Sequence, residues 1–173
     1  FVPGHPIAGS EQSGPGAARA DLYQGKKVVL TPQADTRANA LATVRALWEA
    51  TGAQVETLDA DLHDRVFAAV SHLPHLAAFA LVDELAQRVD GDTFFRFAAS
   101  GFRDFTRIAG SSPEMWRDIA LANREAVLAE LDAYLDALQA LRQTVASQDA
   151  DALLAIFSRA RAAREHWIES LSQ

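Results

Sequence analysis

Four short stretches of the sequence carry side chains that could do chemistry. The first, VPGHPIAGSE, places His5 and Glu11 in a segment rich in proline and glycine, which is typical of a loop. Histidine is the commonest general base near neutral pH, so the pair could serve as a base with an acidic partner. A solvated loop with incidental charges also explains these residues.

The second stretch, SHLPH, runs from Ser71 to His75. On a helix, His72 and His75 lie one turn apart and face roughly the same way. This spacing permits a His-x-x-His metal site, but no acidic third ligand lies nearby on the same face, so no metal is predicted. The pattern favours the alternative, in which two histidines form hydrogen bonds around a proline kink.

The third stretch, GFRDFTRIA, groups charged side chains at helical spacing. Arg103 and Arg107 are one turn apart, and Asp104 precedes Arg107 by three residues. The group is either a surface ion-pair cluster or an arginine that a carboxylate holds so that its planar fork can bind an anion. In the fourth stretch, SSPEMWRDI, Trp116 is interpreted most simply as a core anchor.

The composition excludes several classes of protein. The 173 residues include 16 basic and 23 acidic side chains, and the net charge of −7 argues against nucleic acid as the main partner. The chain has no cysteine, which excludes disulfides, zinc-thiolate sites and thiol catalysis. No apolar run reaches the roughly 20 residues that cross a bilayer, and the first residues lack the pattern of a signal peptide. We therefore expect a cytoplasmic protein with no membrane partner.

The elements that must position these residues fall into two groups. Residues 1–34 are rich in glycine and proline and include KKVVLTP, which predicts a strand buried on both faces. A helix is predicted over residues 35–51, with Asp35 as its N-cap, and AQVETLD at 53–59 predicts a second strand. Two strands and a helix cannot form a stable open sheet alone, so we expect the end of an α/β layer whose partner strands are not supplied by this chain.

From Asp61 onward the apolar residues recur at helical spacing. A long helix is predicted from its cap at Asp61 to about Val89, with a bend at Pro74. A short helix from Asp92 or Thr93 and a helix that starts at Pro113 follow. Two long amphipathic helices, over about 122–146 and 149–171, complete the chain, and Asp149 or Asp151 caps the second. The fold class is therefore mainly α, with a helical bundle or dimer interface after a short β-α-β segment.

In this order, GHPIAGSEQSG, KKVVLTP, HDRVFAAVSHLPHLAAFAL and GFRDFTRIAGSSPEMWRDI resemble the prephenate dehydrogenase family, which includes arogenate and cyclohexadienyl dehydrogenases. The resemblance covers nearly the whole chain and is strongest over residues 4–119. It implies that residues 1–60 are the C-terminal remnant of a nucleotide-binding domain, holding an active-site loop, two strands and a helix. Residues 61–173 are then an all-helical substrate-binding and dimerisation domain.

The chain departs from the family pattern in its nucleotide-binding part. It has no G-x-G-x-x-G after a strand, no first βαβ unit and no acidic residue placed to bind a ribose, and the loop serine of that half is also absent. The resemblance implies NAD or NADP as the cofactor of the full-length enzyme. We expect a truncated chain that is inactive alone and binds neither cofactor measurably.

The family reaction is an oxidative decarboxylation in tyrosine biosynthesis, which converts prephenate to 4-hydroxyphenylpyruvate or arogenate to tyrosine. The resemblance implies that His5 is the base for the C4 hydroxyl proton, and that Arg107 and His75 bind the dianionic substrate. Glu11 and Asp104 are implied to orient or gate Arg107. Ser71, His72 and Trp116 match motif positions and are given supporting roles.

The amphipathic helices also bear on assembly. Their apolar faces exceed what one small bundle can bury, so we expect a symmetric homodimer with a large interface. A non-enzymatic helical dimerisation module with a loop-rich leader is the competing hypothesis. It explains the helices and the missing cofactor motif, but it leaves the residues assigned to the site as coincidences.

Overall fold

The computed structural model describes residues 1–9 and 14–171, which form two compact units, Phe1–Val127 and Leu128–Gln173. The described strands are β1 (Gly4–Pro6), β2 (Lys27–Leu30) and β3 (Gln54–Thr57). The described α-helices are α1 (Ala38–Glu49), α2 (Ala60–Phe67), α3 (Leu73–Ala86), α4 (Gly91–Phe97), α5 (Ser100–Thr106), α6 (Pro113–Ala122), α7 (Arg124–Ala146) and α8 (Ala150–Ser170). The mainly helical fold with a short β-α-β segment is confirmed.

In the first unit, β2 is the central strand of a three-stranded sheet. It pairs parallel with β3 and antiparallel with β1, in a register that sets His5 opposite Val29. Val28 and Leu30 are fully buried, because α1 covers the sheet with Trp48 and its apolar neighbours. The strand predicted at KKVVLTP is confirmed, and its continuous apolar run reflects burial on both faces, since Val28, Val29 and Leu30 are all buried.

Two details of this segment differ from the sequence-based expectation. The opening stretch is a strand at Gly4–Pro6 and not a loop, since β2 supplies the edge with which it pairs. Helix α1 begins at Ala38 after an extended Arg37, and Asp35 is not its N-cap. The prediction failed there because the hydroxyl of Thr36 accepts a hydrogen bond from the Gln33 backbone N–H and continues the turn.

The helical run that follows starts two residues earlier than predicted and continues through Pro74. Asp59, and not Asp61, caps α2, because its carboxylate accepts hydrogen bonds from two backbone N–H groups of the first turn. Between α2 and α3, residues Ala68–His72 form a π-helical turn, and the Leu73 N–H donates to the Ala68 carbonyl five residues back. Proline has no N–H to donate, and the wider turn accommodates that loss.

This π turn changes which side chains share a face. Residues 63 and 75 are 12 positions apart, which puts them roughly 120° apart around an uninterrupted α-helix. One inserted residue removes roughly 100° and brings His63 and His75 to nearly the same side.

The run from Ala60 to Ala86 is also long and apolar enough, by length and composition alone, to cross a membrane, which was not expected from the sequence. Core helices of soluble proteins meet the same criterion.

The remaining helices of the first unit place the charged stretch. The turn Arg107–Gly110, which is a 3₁₀-helix, follows α5 directly and lies against α3. Helix α6 begins at Pro113 as predicted, and the hydroxyl of Ser112 caps it by accepting a hydrogen bond from the Met115 N–H. Arg107 and Trp116 are therefore carried by elements on either side of this cap.

The second unit contains most of α7 and all of α8. Gln148 takes a left-handed conformation with φ of 55°, and Asp149 caps α8 by accepting a hydrogen bond from the Ala152 N–H, so the predicted start of this helix is confirmed. Many apolar side chains of the unit are exposed in the single chain, namely Leu128, Leu135, Leu138, Val145, Leu154, Phe157, Trp167 and Leu171.

Candidate active site

The first part of the site is a pair of histidines that join the sheet to α2. His5 projects from β1, and its Nδ1 lies 2.9 Å from Nε2 of His63. The centroids of the two imidazole rings are 5.1 Å apart, and each centroid lies 4.6 Å from that of the Phe67 ring, which is buried beneath them. The strand thus holds one histidine against a second histidine that the sequence analysis did not identify.

The second histidine is itself held by its neighbour in the chain. His63 Nδ1 lies 2.9 Å from a carboxylate oxygen of Asp64. The backbone carbonyl of Asp64 accepts a hydrogen bond of 2.8 Å from the Asn123 side-chain amide, and the same nitrogen lies 3.3 Å from Nδ1 of His72. Asn123 follows the last residue of α6, so it ties that helix end to α2 and to the π turn.

Two further histidines, His72 and His75, lie against Trp116. His75 stacks on the indole with 3.6 Å between ring centroids and 20° between planes, and His72 meets the same indole edge-on at 6.1 Å. His75 Nδ1 donates a hydrogen bond of 2.8 Å to the backbone carbonyl of Ser71. Ser71 therefore supports the site through its carbonyl oxygen, and Nε2 of His75 is the nitrogen left for a ligand.

Burial and neighbouring positive charge lower the pKa of three of these histidines. Burial lowers the pKa of His5, and the positive charges of His63 and His72 lower it further. For His72, burial is again the largest cause of a lowered pKa, followed by His63 and His75, while Asp64 opposes them. Burial also lowers the pKa of His75; the Ser71 carbonyl opposes this, and the charge of Arg107 adds to it.

The charged stretch contributes one arginine to this cluster. Arg107 is exposed at the start of its 3₁₀ turn, which lies against the helix that carries His75, and its positive charge helps to lower the pKa of that imidazole. Asp104 lies 3.8 Å from Nε of Arg103, and both side chains are highly exposed, which is a weak surface ion pair. Glu11 lies outside the described residues.

The structure therefore brings most of the predicted site residues into one region of the first unit. His5, His72, His75, Trp116 and Arg107 come together there, with Ser71 beneath His75. The prediction of Trp116 as a buried anchor is confirmed, since it is 7% exposed. Its indole N–H is buried without a hydrogen-bond acceptor among the described residues.

Sequence reasoning missed three residues that complete the cluster, His63, Asp64 and Asn123. His63 had a usable signal, because it lies four residues before the apolar Phe67 and so faces the same side of α2. The π turn hid its alignment with His75. Asn123 had no signal, since its partner Asp64 is 59 residues away in the chain.

The described residues do not offer a metal centre or a dinucleotide cradle. Across residues 1–9 and 14–171, no group of three or more metal-binding side chains is arranged to hold an ion. The connection from β2 to α1, residues 31–37, contains no glycine, and no side chain caps the start of α1. A parallel β-α-β unit that binds pyrophosphate needs glycines at that connection, so this part of the chain does not fit the cofactor's phosphates.

A parallel β-α-β segment followed by helices that carry a histidine and arginine cluster defines the end of a nucleotide-binding domain joined to a helical domain. Family models agree with this class. The prephenate dehydrogenase nucleotide-binding domain matches residues 1–57, and the prephenate dehydrogenase dimerization domain matches residues 59–159. The chain belongs to the prephenate dehydrogenase family.

Individual relatives support the same assignment. The chain is 42% identical over 166 residues to cyclohexadienyl dehydrogenase of Zymomonas mobilis and 38% identical over 166 residues to prephenate dehydrogenase of Bacillus subtilis. Each match covers 95% of this chain, and 57% and 45% of the two relatives, respectively. The chain thus spans about half the length of the curated relatives it matches.

Solved structures share the fold. A prephenate dehydrogenase from Aquifex aeolicus, crystallised with hydroxyphenyl propionate and NAD+, superposes with a TM-score of 0.90 at 42% identity, over 96% of this chain and 58% of that one. An arogenate dehydrogenase from Synechocystis superposes with a TM-score of 0.84 at 31% identity, over 96% of this chain and 61% of that one.

Proposed function

We propose that this chain supplies the substrate-binding and proton-accepting part of an NAD- or NADP-dependent prephenate or arogenate dehydrogenase. The observation that carries the proposal is the meeting of His5, from the nucleotide-binding segment, with the histidine and arginine cluster of the helical segment. Burial lowers the pKa of His5 and so favours the neutral imidazole, which is the form that a base needs. The non-enzymatic module gives no reason for this arrangement.

The chemistry assigns His5 a defined task. Bound NAD or NADP supplies the hydride acceptor, and its binding elements are proposed to lie in a nucleotide-binding half that this chain does not contain. His5 accepts the proton of the C4 hydroxyl at Nε2 while that carbon loses hydride, so a carbonyl can form. Loss of the ring carboxylate as CO2, its electron pair passing into the ring, then leaves an aromatic ring.

The substrate's two carboxylates require positive charge and hydrogen-bond donors. Arg107 is proposed to bind one of them, because a guanidinium offers two parallel N–H groups to a carboxylate. His75 is proposed as a second contact through Nε2, because Nδ1 is committed to Ser71. Glu11 and Asp104 remain proposed partners of Arg107, and His72 and Trp116 remain proposed supports.

The domain boundary and the assembly belong to the same proposal. We place the boundary after residue 60, which the change from one matched family model to the next at residues 57–59 supports. The exposed apolar side chains of α7 and α8, and a family model for a dimerization domain, support a homodimer. A cytoplasmic location, no nucleic-acid partner and no membrane partner complete the proposal. A stable monomer in sedimentation at micromolar concentration would contradict the dimer.

The function is tested by restoring the nucleotide-binding half and measuring prephenate-dependent and arogenate-dependent reduction of NAD and NADP. Arg107→Ala should raise KM by roughly 10- to 100-fold, which corresponds to a lost charge-assisted hydrogen bond. Arg96→Ala is the matched control, since Arg96 is an exposed arginine of α4 that lies over the ring of Phe97. His5→Gln should lower kcat by about 10²- to 10⁴-fold.

The competing hypothesis is decided by the same variants. If Arg107→Ala leaves substrate-analogue binding unchanged in a protein whose circular dichroism is intact, the non-enzymatic module is supported. If no dinucleotide is reduced with either substrate by the restored protein, the proposed activity is wrong.

A further inference from the structure

Asp64, His63 and His5 form a continuous line of hydrogen-bonding groups, with contacts of 2.9 Å from carboxylate to imidazole and 2.9 Å from imidazole to imidazole. We propose that Asp64 and His63 are positioning residues that set which nitrogen of His5 is basic. This inference rests on the proposed function, because it concerns how the proposed base is held ready.

The proton positions follow from what each group can do. A carboxylate only accepts, so Nδ1 of His63 must carry the proton that it donates to Asp64. In neutral His63 the other nitrogen, Nε2, is then an acceptor. Nδ1 of His5 must therefore carry a proton and donate it to His63. Neutral His5 is left with an unprotonated Nε2, which is the nitrogen that can take a proton from a substrate hydroxyl.

The same line explains how His5 holds the proton once it arrives. When Nε2 accepts a proton, His5 becomes an imidazolium whose Nδ1–H still donates to His63. The His63 ring is in turn polarised by the carboxylate of Asp64. No group needs to rotate, so the acceptor is arranged before the reaction begins.

Protonation of His63 would reverse this arrangement. An imidazolium at His63 donates from both nitrogens, so Nδ1 of His5 would have to accept. Neutral His5 would then carry its proton on Nε2 and could not act as a base there. Only the form in which both histidines are neutral therefore leaves Nε2 of His5 unprotonated while keeping its hydrogen bond to His63.

Packing fixes the line in place. Phe67 lies under both imidazoles, and the side chain of Asn123 holds the backbone of Asp64. His63 has a side-chain exposure of 18%, whereas that of Asp64 is 56%, so solvent screens the charge of the carboxylate. The hydrogen bond from Asp64 acts chiefly by selecting a tautomer. The other titratable groups near the pair are His72 on the π turn, then His75 on α3 and Arg107 beyond it.

The direct test is the imidazole NMR spectrum of the 173-residue chain labelled with ¹⁵N-histidine, which has only five histidines to assign. At a pH where the pair is neutral, His5 and His63 should both carry the proton on Nδ1. His63→Gln, whose side-chain oxygen can replace the Nε2 acceptor, should preserve the Nδ1–H form of His5. His63→Leu should abolish this preference, and His166→Gln, at an exposed position on α8, should leave it unchanged.

An activity test on the protein with its nucleotide-binding half restored separates positioning from structure. His63→Leu should lower kcat by roughly 10- to 100-fold, which is part of the 10²- to 10⁴-fold that a general base contributes, while KM changes little. His63→Gln should recover most of the loss.

The outcomes distinguish this inference from the proposed function. A proton on Nε2 of neutral His5 in the parent chain, or an unchanged tautomer in His63→Leu, overturns the inference even if His5→Gln abolishes activity. If His5→Gln remains fully active while the tautomers are as expected, the proposed function fails and the hydrogen-bonded line stands as a structural feature.

Discussion

The imidazole of His75 lies flat on the indole of Trp116, with 3.6 Å between the ring centroids. The indole limits the ring to one plane, and the hydrogen bond to the Ser71 carbonyl fixes its rotation within that plane. Two contacts thus determine where Nε2 of His75 points. The residue that the sequence suggested as a simple core anchor also orients a proposed substrate ligand.

Replacing Trp116 should separate its packing role from its orienting role. Trp116→Ala should lower the free energy of unfolding by about 3–5 kcal/mol, because it leaves a cavity at a buried site. Trp116→Phe should lower the free energy of unfolding much less, since it keeps a ring under His75 and removes a buried indole N–H that lacks an acceptor among the described residues. Urea denaturation checks both values, and equal losses in the two variants would contradict this account.

Substrate binding should take up a proton at His75. Burial lowers the pKa of His75, and its Nδ1–H is already donated to Ser71, so in the neutral form Nε2 can only accept. To donate to a carboxylate, Nε2 must gain a proton, which the negative charge of the substrate favours. Affinity for 4-hydroxyphenylpyruvate should therefore weaken as pH rises from about 6 to 8, the range around the ordinary histidine pKa.

Calorimetry in buffers of different ionisation enthalpy measures this proton directly. Up to one proton should be taken up per site in the parent protein, and His75→Gln should take up less. Binding that is independent of pH, with no proton uptake, would show that His75 does not donate to the ligand. Arogenate carries an ammonium group where 4-hydroxyphenylpyruvate carries a ketone, and this group could donate a hydrogen bond to neutral Nε2 of His75. Arogenate binding should therefore take up less of a proton than 4-hydroxyphenylpyruvate binding.

The stability of the folded chain should fall on mild acidification. The folded-state pKa values of His5, His72 and His75 are lowered, chiefly by burial, whereas the unfolded chain titrates near about 6.5. Above that pH both states are neutral and stability is full. As pH falls through about 6.5 toward the lower folded-state values, the unfolded chain binds protons first, so the free energy of unfolding decreases.

Denaturation at a series of pH values between about 7 and 5 checks this prediction above the range in which carboxylates titrate. A variant with Gln at positions 5, 72 and 75 should show a shallower fall. A rise in stability on acidification would contradict the lowered pKa values.

Two glycines of the helical segment should respond to alanine in opposite directions. At Gly91, which is buried at the start of α4, a Cβ would lie 2.7 Å from the Leu85 carbonyl oxygen and 3.3 Å from that of Ala86, so Gly91→Ala should destabilise by about 1–3 kcal/mol. At Gly101 in α5 a Cβ meets nothing within 4 Å, so Gly101→Ala should stabilise by about 0.4–1 kcal/mol. Thermal unfolding of the two variants measures both, and effects of the same sign would contradict this reasoning.

The elements that a local pattern specifies were predictable from the sequence. The apolar run of β2, the proline at the start of α6 and the aspartate before α8 each specify their element within a few residues. The strand at His5 was not predictable, because a three-residue strand that follows Pro3 and ends at Pro6 has no alternation and exists through its pairing with β2. Strand β1 thus depends on tertiary contacts rather than on its own residues.

The candidate site divides in the same way. His5, His75 and Arg107 occur in recognisable stretches, and their assigned roles remain predictions. His63, Asp64 and Asn123 depend on a π turn and on a contact across 59 residues, neither of which has a local periodic signal. The residues proposed to hold the base are therefore visible only in the folded chain.

The π turn at Ala68–His72 makes the alignment of two ligands a matter of chain length rather than of side-chain chemistry. Removing one alanine there would close the turn into regular α-helix and leave the two histidines 11 positions apart, which is still roughly 20° around the helix axis. Adding one alanine would instead rotate His75 by roughly 100° away from His63. An insertion in this apolar turn should therefore be as damaging as the loss of a site residue, although no polar group would be lost, whereas a deletion should keep both histidines on the same side.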